Sequence, residues 1–158
     1  MYQKIIEYAE ALDKISRERR RDFHRYPETA WLEMRTSAVI AKVLTELGYE
    51  VLTGKDVCLE SSRLGVPSSE ELKEHAERAL LQGAPAEYLT EEMRAGFTGV
   101  IGILRCGEGP VTALRFDIDA LGLTEDENVN HRPFAEGFAS RNPGMMHGCG
   151  HDGHAAIG

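Results

Sequence analysis

The chain is predicted to be α/β, and three observations predict it. Apolar residues recur at helical spacing through the opening segment, strand-length apolar runs appear at "YEVL" and again from Phe97, and capped helical stretches lie between them. Ile5, Tyr8, Leu12 and Ile15 place one apolar stripe on a helix from residue 2 to about 25. Pro27 ends it, because the residue before a proline avoids the α region. Thr29 is then the expected N-cap of a second helix, with Met34, Ala38, Ala41 and Leu44 along one side and Gly48 as its stop. "YEVL" at 49–52 reads as a short strand.

Residues 54–96 read as a helical insertion. "SSEELKEHAERALLQG" opens on a serine cap and closes on glycine, and "PAEYLTEEMRAG" repeats the pattern more briefly. Such a segment is expected to decorate the surface of the main core. From Phe97, "FTGVIGILRCG" and "PVTALRFDIDAL" are two strand-length runs joined by Gly107-Glu108-Gly109-Pro110, which predicts a β-hairpin. Residues 122–146 read as a long loop, of a length that is functional or disordered in compact domains.

The formal net charge of -8 argues against a nucleic-acid partner, whose phosphates attract basic surfaces. The local run Arg17, Glu18, Arg19, Arg20, Arg21 reads as a solvated helix face rather than a phosphate patch. No apolar run approaches the ~18 to 20 residues of a membrane span. The amphipathic, charged N-terminus reads as neither a signal peptide nor an anchor, so none is expected there. Three cysteines at wide spacing, Cys58, Cys106 and Cys149, are expected as reduced thiols in the cytoplasm.

Two stretches carry chemistry. In "LRFDIDAL" a strand period sends Leu114, Phe116 and Ile118 toward a core and Arg115, Asp117 and Asp119 to the opposite side. Two carboxylates on one face repel unless a cation balances them; Arg115 can pair with one, and a metal could balance the rest. "HGCGHDGH" at 147–154 holds three His, one Cys and one Asp. In an extended loop His147, Cys149 and His151 share a side, and imidazole with thiolate is a donor set that late divalent metals prefer. Asp152 is expected to cap a helix starting "GHAAIG". A Cys149–His151 nucleophilic pair and a plain glycine-rich loop are the alternatives; the metal site is favoured.

"RRDFHRYPE", "LRFDIDAL" and "GMMHGCGHDGHAA" together resemble the M20 metallopeptidase/amidohydrolase family, in the branch of hippurate and indoleacetyl-amino-acid hydrolases. The resemblance implies the N-terminal portion of a three-layer zinc-peptidase-like catalytic domain over residues 1–158, with the 54–96 insertion. It implies amide hydrolysis of a small N-acyl amino acid, with an aminobenzoyl-glutamate the expected substrate, at two divalent metal ions, Mn or Zn. By that pattern Cys149 and His151 are metal ligands. Asp117 and Asp119 orient ligands near the metals, and His147, His154 and Arg115 support them from behind. The family's glutamate general base, its remaining ligands and its lid or dimerisation domain lie downstream of this motif. The chain is therefore expected to be truncated and inactive alone. In the whole protein it is expected to form a homodimer or a heteromer with a related B subunit. The alternative is a non-catalytic partner subunit or pseudo-enzyme fragment acting through association.

Overall fold

A computed structural model describes residues 2–158. Two compact units emerge: one holds the residues up to Pro27 together with Leu114–Gly158, the other Glu28–Ala113.

The unit Glu28–Ala113 contains α2 (Met34–Glu46), β1 (Glu50–Thr53), two short 3₁₀ turns, α3 (Ser69–Leu81), α4 (Glu91–Arg94) and β2 (Val100–Ile103). Helix α2 begins at Met34, later than a Thr29 cap would give. The reason is local: Trp31 takes a left-handed conformation at φ 67°, which no helix can include. Glu28 supplies the cap from a distance instead. Its Oε1 accepts the Arg35 N–H at 3.0 Å, and its Oε2 accepts the Thr36 N–H at 2.8 Å and the Thr36 hydroxyl at 2.9 Å. These satisfy first-turn donors that otherwise have no partner. At the other end Gly48, at φ 85°, stops the helix as expected. The Trp31 indole N–H donates to the Leu64 carbonyl at 2.8 Å. The Arg63 guanidinium lies 3.4 Å from the centroid of the Phe97 ring, a cation–π contact.

The insertion is not surface decoration. Leu72, Ala76 and Ala79 of α3, with Ala84, Leu89 and Met93, join Leu32, Met34, Ala38 and Ala41 in one buried apolar cluster. Both its helices carry the caps the sequence announces: the Ser68 hydroxyl accepts the Glu71 N–H, and the Thr90 hydroxyl the Met93 N–H, each at 3.2 Å. A packed apolar face on α2 needs a second layer, and α3 with α4 is that layer.

The expected hairpin does not form. β2 pairs antiparallel with β1, in the register Glu50 to Ile103 through Thr53 to Val100, and residues 104–119 adopt neither strand nor helix. Val111 and Leu114 are 95% and 77% exposed, and Phe116 is exposed as well, so the apolar side of "LRFDIDAL" covers little among the described residues. A strand with neither a ladder partner nor a covered face has little to hold it.

The other unit contains α1 (Tyr2–Arg25), α5 (Arg132–Ala135) and α6 (His151–Ile157). The predicted stripe Ile5, Tyr8, Leu12 and Ile15 is exposed; α1 packs through its C-terminal end, where Phe23 and His24 are buried, and its partner is α6. The long 122–146 loop is ordered. An antiparallel bridge closes it, Leu121 N–H to the Met146 carbonyl at 2.9 Å and the reverse at 3.0 Å. Its middle is tied to the end of α1: the Arg141 N–H donates to the Arg25 carbonyl, and the Asn142 side-chain amide to the Pro27 carbonyl, both at 2.8 Å.

Candidate metal centre

The motif begins in the turn at Gly148–Cys149 and runs into α6 through Gly150, whose φ of 82° lies in the left-handed region that glycine enters without cost. Gly150 occupies the N-cap position, so Asp152 is not the cap the sequence suggested; it lies inside the first turn with its side chain fully buried. The reason is stronger partners than the backbone: Asp152 Oδ2 accepts from His24 Nδ1 at 2.9 Å and from Arg20 Nε at 3.1 Å.

His151 opens α6. Its Nδ1–H donates to both the backbone carbonyl and Oδ1 of Asp119, each at 3.0 Å, which leaves Nε2 as the nitrogen with an available lone pair. Nε2 lies 4.0 Å from Asp117 Oδ2. The His154 ring stacks on that of His151 at a centroid separation of 5.2 Å, one helical turn later. One donor atom each from Asp117, His151 and His154 falls within 4.8 Å of the others. Asp117 Oδ1 is paired with the Arg115 guanidinium at 2.7 Å. Cys149 is exposed and outside this group, and all three cysteines are unpaired. Nitrogen and carboxylate donors in this arrangement fit a divalent metal: a histidine held through Nδ1 by a carboxylate or carbonyl is the usual way a ligand ring is oriented.

Behind the motif lies a buried polar network. His24 is held on both sides, Nδ1 by Asp152 and Nε2 by Glu125 Oε1 at 2.8 Å; the same Oε1 accepts from His131 Nε2 at 2.8 Å. Burial pulls the His24 pKa down, but the hydrogen bonds and charges of Asp152 and Glu125 outweigh it and leave it raised. Burial likewise pushes Glu125 and Asp152 up. Glu125 nevertheless stays below the usual carboxylate range because the Ser140 N–H, His131 and His24 donate to it, and Asp152 because of His24 and Arg20. His147 is 5% exposed, neither of its ring nitrogens meets a hydrogen-bond partner among the described residues, and burial lowers its pKa to about 4. It is a neutral, buried ring facing His24 at 6.4 Å between centroids.

Of the residues singled out in the sequence, Asp117, Asp119, His151, His154 and Arg115 are brought together, while Cys149 and His147 contribute no donor to the Asp117, His151 and His154 cluster. The basic run is only partly a solvated face: Arg20 pairs with Asp152 and Arg21 with Glu136, while Arg17 pairs with Asp13 on its own helix. His24, Glu125 and His131 are the site-supporting residues the chemistry of single motifs missed. The only signal for His24 was its place in "RRDFHRYPE".

Residues 113–158 match the model of peptidase family M20/M25/M40. The chain is 51% identical over 140 residues to the A subunit of the p-aminobenzoyl-glutamate hydrolase of Escherichia coli, covering 88% of this chain and 32% of that protein. It is 49% identical, with the same coverage, to the indole-3-acetyl-aspartic acid hydrolase of Enterobacter agglomerans. Among solved structures, the aminobenzoyl-glutamate utilization protein of Klebsiella pneumoniae superposes with a TM-score of 0.72 at 42% identity, over 75% of this chain and 30% of that one. The chain thus spans about a third of the length of the curated relatives it matches. Fold, motif and relatives agree: residues 113–158 match the M20 peptidase family, and the chain is similar to the hydrolases named above over most of its length.

Proposed function

We propose that this chain carries part of the metal site of an M20-type amidohydrolase that cleaves the amide bond of an N-acyl amino acid, with p-aminobenzoyl-glutamate the leading substrate. The observation that carries the reading is His151, its Nδ1 held by Asp119 and its Nε2 turned toward Asp117. A bound pair of divalent ions, Mn or Zn, would supply Lewis acidity toward the amide carbonyl and toward an attacking water. The chain's own residues do the positioning. Asp119 fixes the His151 tautomer, Arg115 balances Asp117, and Cys149 and His151 are the ligands the family pattern assigns.

A second ligand set has its own support: Asp117 and His154 have donor atoms near that of His151, whereas Cys149 is exposed. Metal content by elemental analysis of a protein containing this chain decides between the sets. If Cys149 is a ligand, Cys149→Ala lowers the bound metal while His154→Ala leaves it unchanged; the reverse pattern selects Asp117, His151 and His154. Unchanged content in both variants and in His151→Ala would remove the metal reading. Substrate choice rests on the two hydrolases named above, and turnover of a panel of acyl-amino acids tests it.

Catalytic zinc-type sites take about three protein ligands, and two metals take more. The two or three donors described here are too few, so the 158-residue chain alone is expected to turn over little or no substrate. A cytoplasmic location and a partner complete the proposal. That partner is either a second copy or a companion polypeptide, since the Escherichia coli relative is itself one component of a hydrolase with lettered subunits. No helix among the described residues is long and apolar enough to cross a membrane. Association without catalysis remains the rival, and metal-dependent turnover in the assembled protein excludes it.

A further inference from the structure

We propose that His24 is a positioning residue for the metal-binding segment: clamped between Glu125 and Asp152, it fixes the first turn of α6 and so the place of His151. The inference rests on the reading of His151 as a ligand.

Helix α6 has seven residues, too few to be stable from its own hydrogen bonds, so tertiary contacts must set its direction. Asp152 is its fully buried polar anchor and the immediate neighbour of His151. Two groups hold Asp152, and both come from the last two turns of α1: Arg20, more than half exposed at its side chain, and His24, buried. Of the two, the buried donor has the larger effect, because solvent does not screen it. His24 is itself fixed from behind. Its Nε2 meets Glu125 Oε1, and its ring lies edge-on to Phe138 at 5.5 Å, over which the Arg21 guanidinium sits at 4.6 Å. Only an imidazolium can donate from both nitrogens to two carboxylates at once. A neutral ring would leave one buried carboxylate without its donor. The clamp therefore joins three separate segments, the end of α1, the 125–140 loop through Glu125, and α6 through Asp152. His151 is then set from two sides, its ring by Asp119 and its backbone by the Asp152 anchor.

The test uses a protein containing this chain, with His24→Gln, Asp152→Asn, their double variant, His151→Ala as the ligand reference and His75→Gln as a buried-histidine control in the other unit. Mn(II) affinity is read from free Mn(II) by electron paramagnetic resonance, and order in α6 from amide hydrogen exchange. The expected result is Mn(II) binding about 10- to 100-fold weaker in His24→Gln. Exchange should be about tenfold faster in residues 151–157 and unchanged in residues 69–81, with the double variant no worse than the weaker single one. His75→Gln should leave Mn(II) affinity as it was. Should His24→Gln not fold, Glu125→Gln keeps the side-chain shape, removes the charge and is read the same way. Mn(II) affinity within twofold of the parent together with unchanged α6 exchange overturns the proposal, as does acceleration spread equally over 69–81. If His151→Ala binds Mn(II) like the parent, the ligand reading fails on its own, and the exchange pattern alone then decides the clamp.

Discussion

The two compact units of this chain are each stabilised by different physics. In Glu28–Ala113 an apolar cluster organises the helices, Met34, Ala38, Leu72, Ala79, Leu89 and Met93 among its members, with a smaller buried polar group of Glu28, Arg35 and Thr36 at the start of α2. In the unit bearing the metal motif the buried residues include His24, Glu125, Asn142, His147 and Asp152, with Phe138 and Phe23 as the larger apolar members. An apolar cluster tolerates any filling of about the right volume. A buried network of charges accepts only the partners it has, since each orphaned group costs its full desolvation. The more partner-specific kind of packing thus lies beside the 147–154 motif.

The largest effect should come from breaking that network. Asp152→Ala leaves His24 and Arg20 without their shared carboxylate and is expected to cost roughly 3–5 kcal/mol in urea unfolding. Even the isosteric Asp152→Asn should cost about 2 kcal/mol, because shape is kept and charge is lost. The matching experiment in the apolar unit is Met34→Ala, expected to cost about 3 kcal/mol, whereas Met34→Leu, which conserves volume, should cost less than ~1.5 kcal/mol. Equal tolerance of the two isosteric changes would erase the contrast.

Next comes pH. The His24 pKa is raised above its ordinary 6.5, so its contribution is complete below that value and is lost as pH rises through the raised one. His75 in the apolar unit is pushed down to about 4, by burial first and by Arg78 second, so its contribution is complete above 6.5 and is lost as pH falls toward about 4. His147 acts in the same direction as His75, and the lowered Glu125 and Asp152 also lose their contributions on the acid side. Through the histidines, acid should therefore weaken both units while alkali weakens only the one with the 147–154 motif; Glu28, raised by burial in the other unit, loses its own contribution as pH rises through its raised value. Urea midpoints followed by nuclear magnetic resonance at Ser69–Leu81 and at His151–Ile157, at about pH 6 and about pH 9, check the asymmetry. The smallest expected effects are at the caps: Ser68→Ala and Thr90→Ala should each cost about 1 kcal/mol, confined to α3 and α4.

What could be read beforehand was whatever is local. Helix α1, the capped α3 and α4, the Gly48 stop and the start of a helix after the glycine-rich 147–150 turn each lie within a few turns of chain. The failures involve distance. The β2 partner is β1, some fifty residues back, not the run that follows it, and strand pairing leaves no mark in a single strand's sequence. The clamp pairs His24 with residues 101 and 128 positions away, and no periodicity reports such a contact. Thr29 and Asp152 look like caps by residue type. Trp31's backbone disqualifies the first, and His24 with Arg20 claims the second.

The sole tryptophan, Trp31, lies in the apolar unit, its indole tied to Leu64. Intrinsic fluorescence excited at the red edge therefore watches one unit and is blind to the other. A melting curve recorded that way would report the apolar cluster faithfully, even in a variant whose metal motif had already come apart. Coincidence between that optical signal and a probe placed on α6 is the test of whether the chain unfolds as one.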